Sequence, residues 1–254
     1  PSVAEGDSWQ GVYRFDNYEV AGTIEVVSDD PIRVTQGQVL SGNIELRHIS
    51  AENLTLRSGT VLTHPLTASE ANPERLRIEV AGNLVLEDGA VIDVSKRGYP
   101  HSWTYPGEGR PGGGGGGSHI GLGGYLPGTT YGSVYRPREA GGGGENSNDG
   151  DRGGGIVEIV AQNLELRGTG SAIRANGEGP SNRGGTRGGA GGSVWIRVAD
   201  QVSGDGTIEA RGGESEASNY GSGGGGAIAV EYQRADGSVL QNLRQFVSDG
   251  GKLY

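Results

Sequence analysis

The chain of 254 residues contains no cysteine and no methionine, and only two phenylalanines. Without cysteine there is neither a disulfide framework nor a thiolate metal site, although many secreted bacterial proteins share that lack and the redox compartment stays open. No apolar run approaches the roughly 18 residues of a membrane span, and no charged-then-apolar leader is present, so no membrane insertion is expected of these residues. The missing methionine reads as a mature fragment, or a domain cut from a longer chain. Positive charge is also short. Lys and Arg number 21 against 31 Asp and Glu, a net charge of -10, which argues against a nucleic-acid partner because phosphate binding rests on clustered cations. That balance suits solubility outside a cell, or cation binding. Val, Ile, Leu and Phe total 52, close to the level of about one fifth below which highly charged chains stay disordered.

Distribution rescues the fold. The apolar residues gather in short alternating runs, while 44 of the 52 glycines lie from Gly98 onward. Ala51-Glu52-Asn53-Leu54-Thr55-Leu56, Ala81-Gly82-Asn83-Leu84-Val85-Leu86 and Ala161-Gln162-Asn163-Leu164-Glu165-Leu166 share the pattern A-x-N-L-x-L. Each follows an alternating run such as Leu76, Ile78 and Val80, and precedes a glycine and another short run such as Val91-Ile92. Ala199 opens a looser fourth copy, and a partial fifth begins at Ala227. Such a unit cannot bury its own apolar stripe, so successive units must stack about 4.8 Å apart. Period-two alternation without helical periodicity predicts an all-β chain, a right-handed parallel β-helix (β-solenoid) of about five to six coils with glycine-rich loop insertions on one side. Asn53, Asn83 and Asn163 are expected to form an internal ladder. Ile156 with Val160, and Val157 with Ile159, offer competing inward alternations that differ by one residue.

A single domain is expected. Residues 1–17, with Trp9, Tyr13 and Phe15, would cap the N-terminal end; 18–97 would form regular coils; 98–155 a long Gly/Tyr-rich insertion; 156–232 coils with glycine-rich loops; and 233–254 the C-terminal cap and exit. In that last part, Tyr232 to Leu240 reads as a strand, an Asp-Gly turn and a returning strand. Three excursions, Gly98 to Gly155, Gly177 to Gly192 and Gly212 to Gly226, leave at one point in successive units. Glycine rows without Cβ atoms can approach at backbone distance and pack as a layer; the alternative for Gly112 to Gly117 is a flexible linker.

Four segments now carry a resemblance: Tyr131-Gly132-Ser133-Val134-Tyr135-Arg136-Pro137, Gly141 to Gly144, Gly189-Ala190-Gly191-Gly192-Ser193-Val194-Trp195-Ile196, and Gly223 to Gly226 before Ala227-Ile228-Ala229-Val230. In this order they resemble a glycine-rich right-handed parallel β-helix domain recurring in very large, adhesin-like secreted and surface proteins. The match spans about Tyr131 to Tyr232. It implies a module of a multidomain adhesive or glycan-associated protein at the cell surface or outside the cell, whose partners include other domains of the same long chain, and it supplies no catalytic residues.

Chemistry-bearing motifs are few. Gly107-x-Gly109-x-x-Gly112 and Gly221-x-Gly223-x-x-Gly226 match the dinucleotide fingerprint formally, but strands follow them where that motif needs a helix. The calcium-roll nonapeptide is absent. Glu145, Asp149 and Asp151 could offer hard oxygen ligands to Ca2+, and no other cofactor is required. The best candidate for recognition is the long insertion, where Tyr99, His101, Trp103, Tyr105, His119, Tyr125, Tyr131 and Tyr135 gather. Rigid amphipathic rings give contact area at little entropic loss and suit a sugar's apolar face, which points to carbohydrate or a cell-surface glycan. The competing reading is that the rings only pin the insertion to the wall. A polysaccharide lyase or glycoside hydrolase would use outward groups such as Arg174, Arg197, Arg211, Glu158 and Glu209. The histidines are scattered and no G-x-S-x-G motif occurs, so a noncatalytic binding or adhesion module leads, with a passive spacer as a further alternative.

Overall fold

A computed structural model of the chain describes five short N-terminal strands and residues 43–145, 151–179, 187–215 and 220–244. The strands lie in seven levels. The first holds β1 (Arg14–Phe15), β2 (Glu19–Val20) and β3 (Thr23–Glu25); the second β4 (Ile32–Val34), β5 (Gln38–Leu40) and β6 (Asn43–Glu45); the third β7 (His48–Ala51), β8 (Leu54–Leu56) and β9 (Val61–Thr63). Longer strands follow: β10 (Leu76–Leu86) with β11 (Val91–Asp93), β12 (Ile156–Leu166) with β13 (Ala172–Arg174), and β14 (Ser193–Gly204) with β15 (Thr207–Glu209). The seventh level holds β16 (Ala227–Glu231), β17 (Arg234–Gly237) and β18 (Leu243–Arg244).

These strands pair in parallel into one sheet of 11 strands and one of 7, with a single 3-10 turn among the described residues, at Val239–Gln241. The expected right-handed β-helix of five to six coils is therefore corrected. Among the described residues there are two parallel sheets in seven levels, and no third sheet closes them into a solenoid. Two physical reasons account for the difference. Levels one and two are built from strands of two or three residues that carry no A-x-N-L-x-L motif, and the side facing away from both sheets is made of glycine rows that form no strand.

Register follows the repeats. Ile49, Ile78, Ile159 and Ile196 are cross-strand partners in one inward column, and Leu54, Leu84, Leu164 and Val202 in another. In the smaller sheet Ile44, Leu62, Ile92, Ile173 and Ile208 align. All are buried in one core, each contributing about 1.5–3 kcal/mol by leaving water. Val157 and Ile159 take the inward positions of β12, so Ile156 points the other way, into a second cluster under the insertion with Tyr99, Tyr131 and Ala140.

At the bend, Asn83 N–H donates to Asn53 Oδ1 (2.9 Å), Asn163 Nδ2 donates to Asn83 Oδ1 (2.9 Å), and Gln201 N–H donates to Asn163 Oδ1 (3.3 Å). The ladder is real but it is not internal: Asn83 is exposed, because Val80 and Leu84 already fill the inward positions on either side. The C-terminal reading also changes. Arg234–Gly237 does not turn back as a hairpin; it pairs in parallel with β14, and Leu243–Arg244 pairs in parallel with β15, so these residues continue the seventh level. At the other end Phe15 belongs to β1, in the first level, and pairs with Val34, while Trp9 and Tyr13 lie outside the described residues.

The glycine excursions form a layer. Gly154 N–H donates to Ala190 O and Ala190 N–H to Gly142 O, both at 2.8 Å; Gly191 donates to Gly224 O, and Gly224 in turn to Gly117 O, both at 2.9 Å. Within the suspected linker, Gly116 and Gly117 donate to Gly124 O (3.0 Å) and Gly188 O (2.9 Å). A Cβ on Gly153 would overlap the carbonyl oxygen of Gly141, and one on Gly224 that of Gly121. Each row thus meets neighbours on more than two sides, an arrangement that side chains would forbid.

Candidate ligand-binding face

The insertion leaves after β11 and returns at β12. Its entry is fixed by Tyr99, fully buried, whose N–H donates to Gly141 O, whose C=O accepts from Gly153 N–H, and whose hydroxyl donates to Glu70 O (3.2 Å). Burial raises the Tyr99 phenol above its usual range, as it does for Tyr131. Trp103 packs, half-buried, against the same cluster. Beyond it the chain pairs with itself in antiparallel sense: Thr129 N–H donates to Gly109 O (3.0 Å) and Gly112 N–H to Leu126 O (2.9 Å).

Three rings then form a column from the surface inward. Tyr105, 42% exposed, stacks on Tyr131 with centroids 5.6 Å apart, and Tyr131 lies 5.2 Å from His119. Tyr131 is buried and its hydroxyl donates to Ala140 O at 2.8 Å; His119 is fully buried and its Nδ1 donates to Gly191 O at 2.9 Å. That bond places the proton on Nδ1 and leaves Nε2 as a bare acceptor. Burial holds the His119 imidazole neutral, with its pKa lowered to about 4. The column is thus a platform anchored in the glycine layer and open at one face.

The eight ring residues separate into two groups. Tyr99, Trp103, Tyr105, His119 and Tyr131 come together; of these Tyr99, Tyr131 and His119 serve as pins and only Tyr105 offers a substantial free face. Tyr125 and Tyr135 stand out at the surface, 59% and 82% exposed, and His101 is half-buried at the entry.

The proposed calcium ligands do other work in this structure. Glu145 Oε2 accepts from Gly114 N–H at 2.7 Å; Asp151, buried and left-handed at φ 63°, accepts from Arg187 N–H at 3.2 Å through Oδ2. Asp149 lies outside the described residues. Among the described residues no group of three or more His, Cys, Asp or Glu converges as a metal site would.

Comparison of the chain with family models, curated proteins and solved structures returned no match. What the face does must therefore be read from its own groups.

On the outer face of the larger sheet, Arg197 pairs with Glu158; on that of the smaller sheet, Glu209 accepts from Asn176 Nδ2 (2.9 Å) and Arg211 Nη2 (2.8 Å), with Arg174 at 3.7 Å. Both carboxylates are thus engaged by guanidinium groups. Two features of the site escaped sequence reasoning. Trp195, nearly buried, donates from Nε1 to Glu231 (3.0 Å) and lies under the guanidinium groups of Arg138 and Arg197 at 4.5 and 4.3 Å, which clamps the insertion to the sheet. Its outward position in the alternation of β14 was the available signal. His64 is the other. Its Nδ1 donates to Pro65 O (2.7 Å) and its Nε2 accepts from Ile156 N–H (3.2 Å), seating the first residue of β12 where the insertion returns. Burial lowers its pKa to about 3. No sequence signal joins residues so far apart.

Proposed function

We propose that this protein is a noncatalytic binding module of a large secreted or cell-surface protein, and that it recognises carbohydrate through the 98–155 insertion. The observation that carries the reading is the ring column: an exposed tyrosine face, Tyr105, held at a fixed angle by Tyr131 and His119 beneath it. Preorganised rings bind a sugar's apolar face without ordering cost at the moment of binding. The polar rim around Tyr105 is already internally paired. Glu108 accepts from Thr129 Oγ1 (2.7 Å), and Arg110 donates to both oxygens of Glu70 (2.7 and 2.9 Å). That rim favours a neutral glycan over a strongly charged one. Catalysis along the wall is disfavoured by the engagement of Glu158 and Glu209 with arginines. Other domains of the same chain would complete the adhesive role, as the resemblance of the glycine-rich segments implies. The reading invokes no cofactor.

A glycan array probed with the protein should return neutral glycan hits, and Tyr105→Ala should weaken them by about tenfold, the equivalent of about 1.4 kcal/mol. An array without hits, or an affinity indifferent to Tyr105, overturns the carbohydrate reading.

A further inference from the structure

The buried end of the ring column has a bonding pattern that its role as a pin does not require. His119 uses Nδ1 on Gly191 O, but its Nε2, sealed from solvent, has no hydrogen-bond partner among the described residues. A buried acceptor without a donor costs stability, and a buried imidazolium costs far more. Only a few groups face this ring. From the segment 131–142 come Tyr131, in ring contact, and the carboxylate of Glu139; Nε2 and Glu139 Oε2 lie 2.9 and 3.3 Å from the point a Cβ on Gly132 would occupy. From the described glycine rows come the backbone groups of Gly191 and Gly192. A proton on Nε2 would therefore sit in the glycine layer with Glu139 as its one nearby counter-charge among the described residues.

The same segment meets the layer through bonds gathered near its two ends. Tyr131 N–H donates to His119 O (2.9 Å), Gly142 N–H to Ser118 O (3.2 Å), Gly141 N–H to Gly154 O (2.9 Å) and Ser193 Oγ to Glu139 O (2.6 Å); Gly141 O and Gly142 O accept from Tyr99 and Ala190 N–H (3.1 and 2.8 Å), and Arg138 rests on Trp195. Two of these bonds end on His119 and its neighbour.

We propose that His119 is an acid-operated release for this strap: protonation of the ring frees residues 131–142 from the glycine row at 118–119 and dismantles the Tyr105 platform. The direction follows from linkage. The closed imidazole titrates near 4, whereas a released one returns to about 6.5, so between those values the open form binds more protons and opening is favoured as pH falls. Above about 6.5 the two forms bind protons equally and pH has no effect.

Amide hydrogen exchange at Tyr131 and Gly142, corrected for intrinsic rates, tests this without any ligand, so its failure is separable from failure of the carbohydrate reading. Between pH 7.5 and pH 5, protection at both amides should fall roughly 30-fold in the wild-type protein. In His119→Gln the two amides should show no such dependence, while the acid response of Ile159 in β12, which reports His64, persists. Unchanged wild-type protection at pH 5, or the same fall in His119→Gln, overturns the proposal. Should His119→Gln not fold, the wild-type imidazole titration followed by NMR decides: its midpoint must track the loss of protection, and a ring titrating near 6.5 with the strap still closed overturns the proposal.

Discussion

On the sheet side of this molecule, Ile49, Ile78, Ile159 and Ile196 stack in one inward column; on the opposite side, rows around Gly117, Gly153 and Gly224 meet backbone to backbone with no side chain between them. The first region is stabilised by apolar area removed from water, a non-directional gain that tolerates changes of shape. The second has almost no apolar area to bury. Each ordered glycine costs about 0.5–1 kcal/mol more than alanine, and each net hydrogen bond returns about 0.5–1.5 kcal/mol, so such rows hold only where nearly every amide is bonded. The two regions should therefore fail in opposite ways: the core when side chains are shortened, the layer when they are added.

The largest effect is expected in the layer. Gly153→Ala places a methyl group on the Gly141 carbonyl, where only backbone could yield, and should cost more than the ~1–3 kcal/mol of ordinary overpacking, enough to prevent folding or lower the melting temperature sharply. In the core, Leu164→Ala should cost about 2–5 kcal/mol in denaturant unfolding. Acid comes next. His64 is neutral when folded, with a pKa lowered to about 3 against 6.5 unfolded, so its contribution is complete above pH 6.5 and declines as pH falls through the window down to 3; at pH 5 the loss is about 2 kcal/mol, and unfolding curves taken across that range should show it. Between the two regions, Asn83→Ala removes the acceptor for Asn163 Nδ2 at an exposed bend and should cost about 0.5–1.5 kcal/mol. The smallest effect sharpens the contrast from within the layer. Gly113 has open space where a Cβ would stand and no positive φ, so Gly113→Ala should be neutral or stabilise by about 0.4–1 kcal/mol.

Much of the sheet region was legible because its signal is repetitive. The A-x-N-L-x-L units and their alternating runs gave the parallel stacking, the Asn53–Asn83–Asn163 ladder and most of the core. Levels one and two were not legible, since strands such as Glu19–Val20 are too short to show a period. The Asp236-Gly237 turn signal misled for a related reason: a parallel level and a hairpin place glycine at the same kind of turn, and only the partner strand distinguishes them. In the candidate site, residue type located the insertion, but it could not separate Tyr99 and Tyr131, buried as pins, from Tyr105, Tyr125 and Tyr135 at the surface. That division depends on contacts across the layer, as does the seat of His64 against Ile156.

The central claim is that the glycine rows are a bonded layer rather than loose connections. Hydrogen exchange at the amides of Gly117, Gly154, Gly191 and Gly224 measures it directly. Protection at neutral pH comparable to that of Ile159 in β12 is the predicted result; exchange at the rate of a free glycine linker would contradict the account.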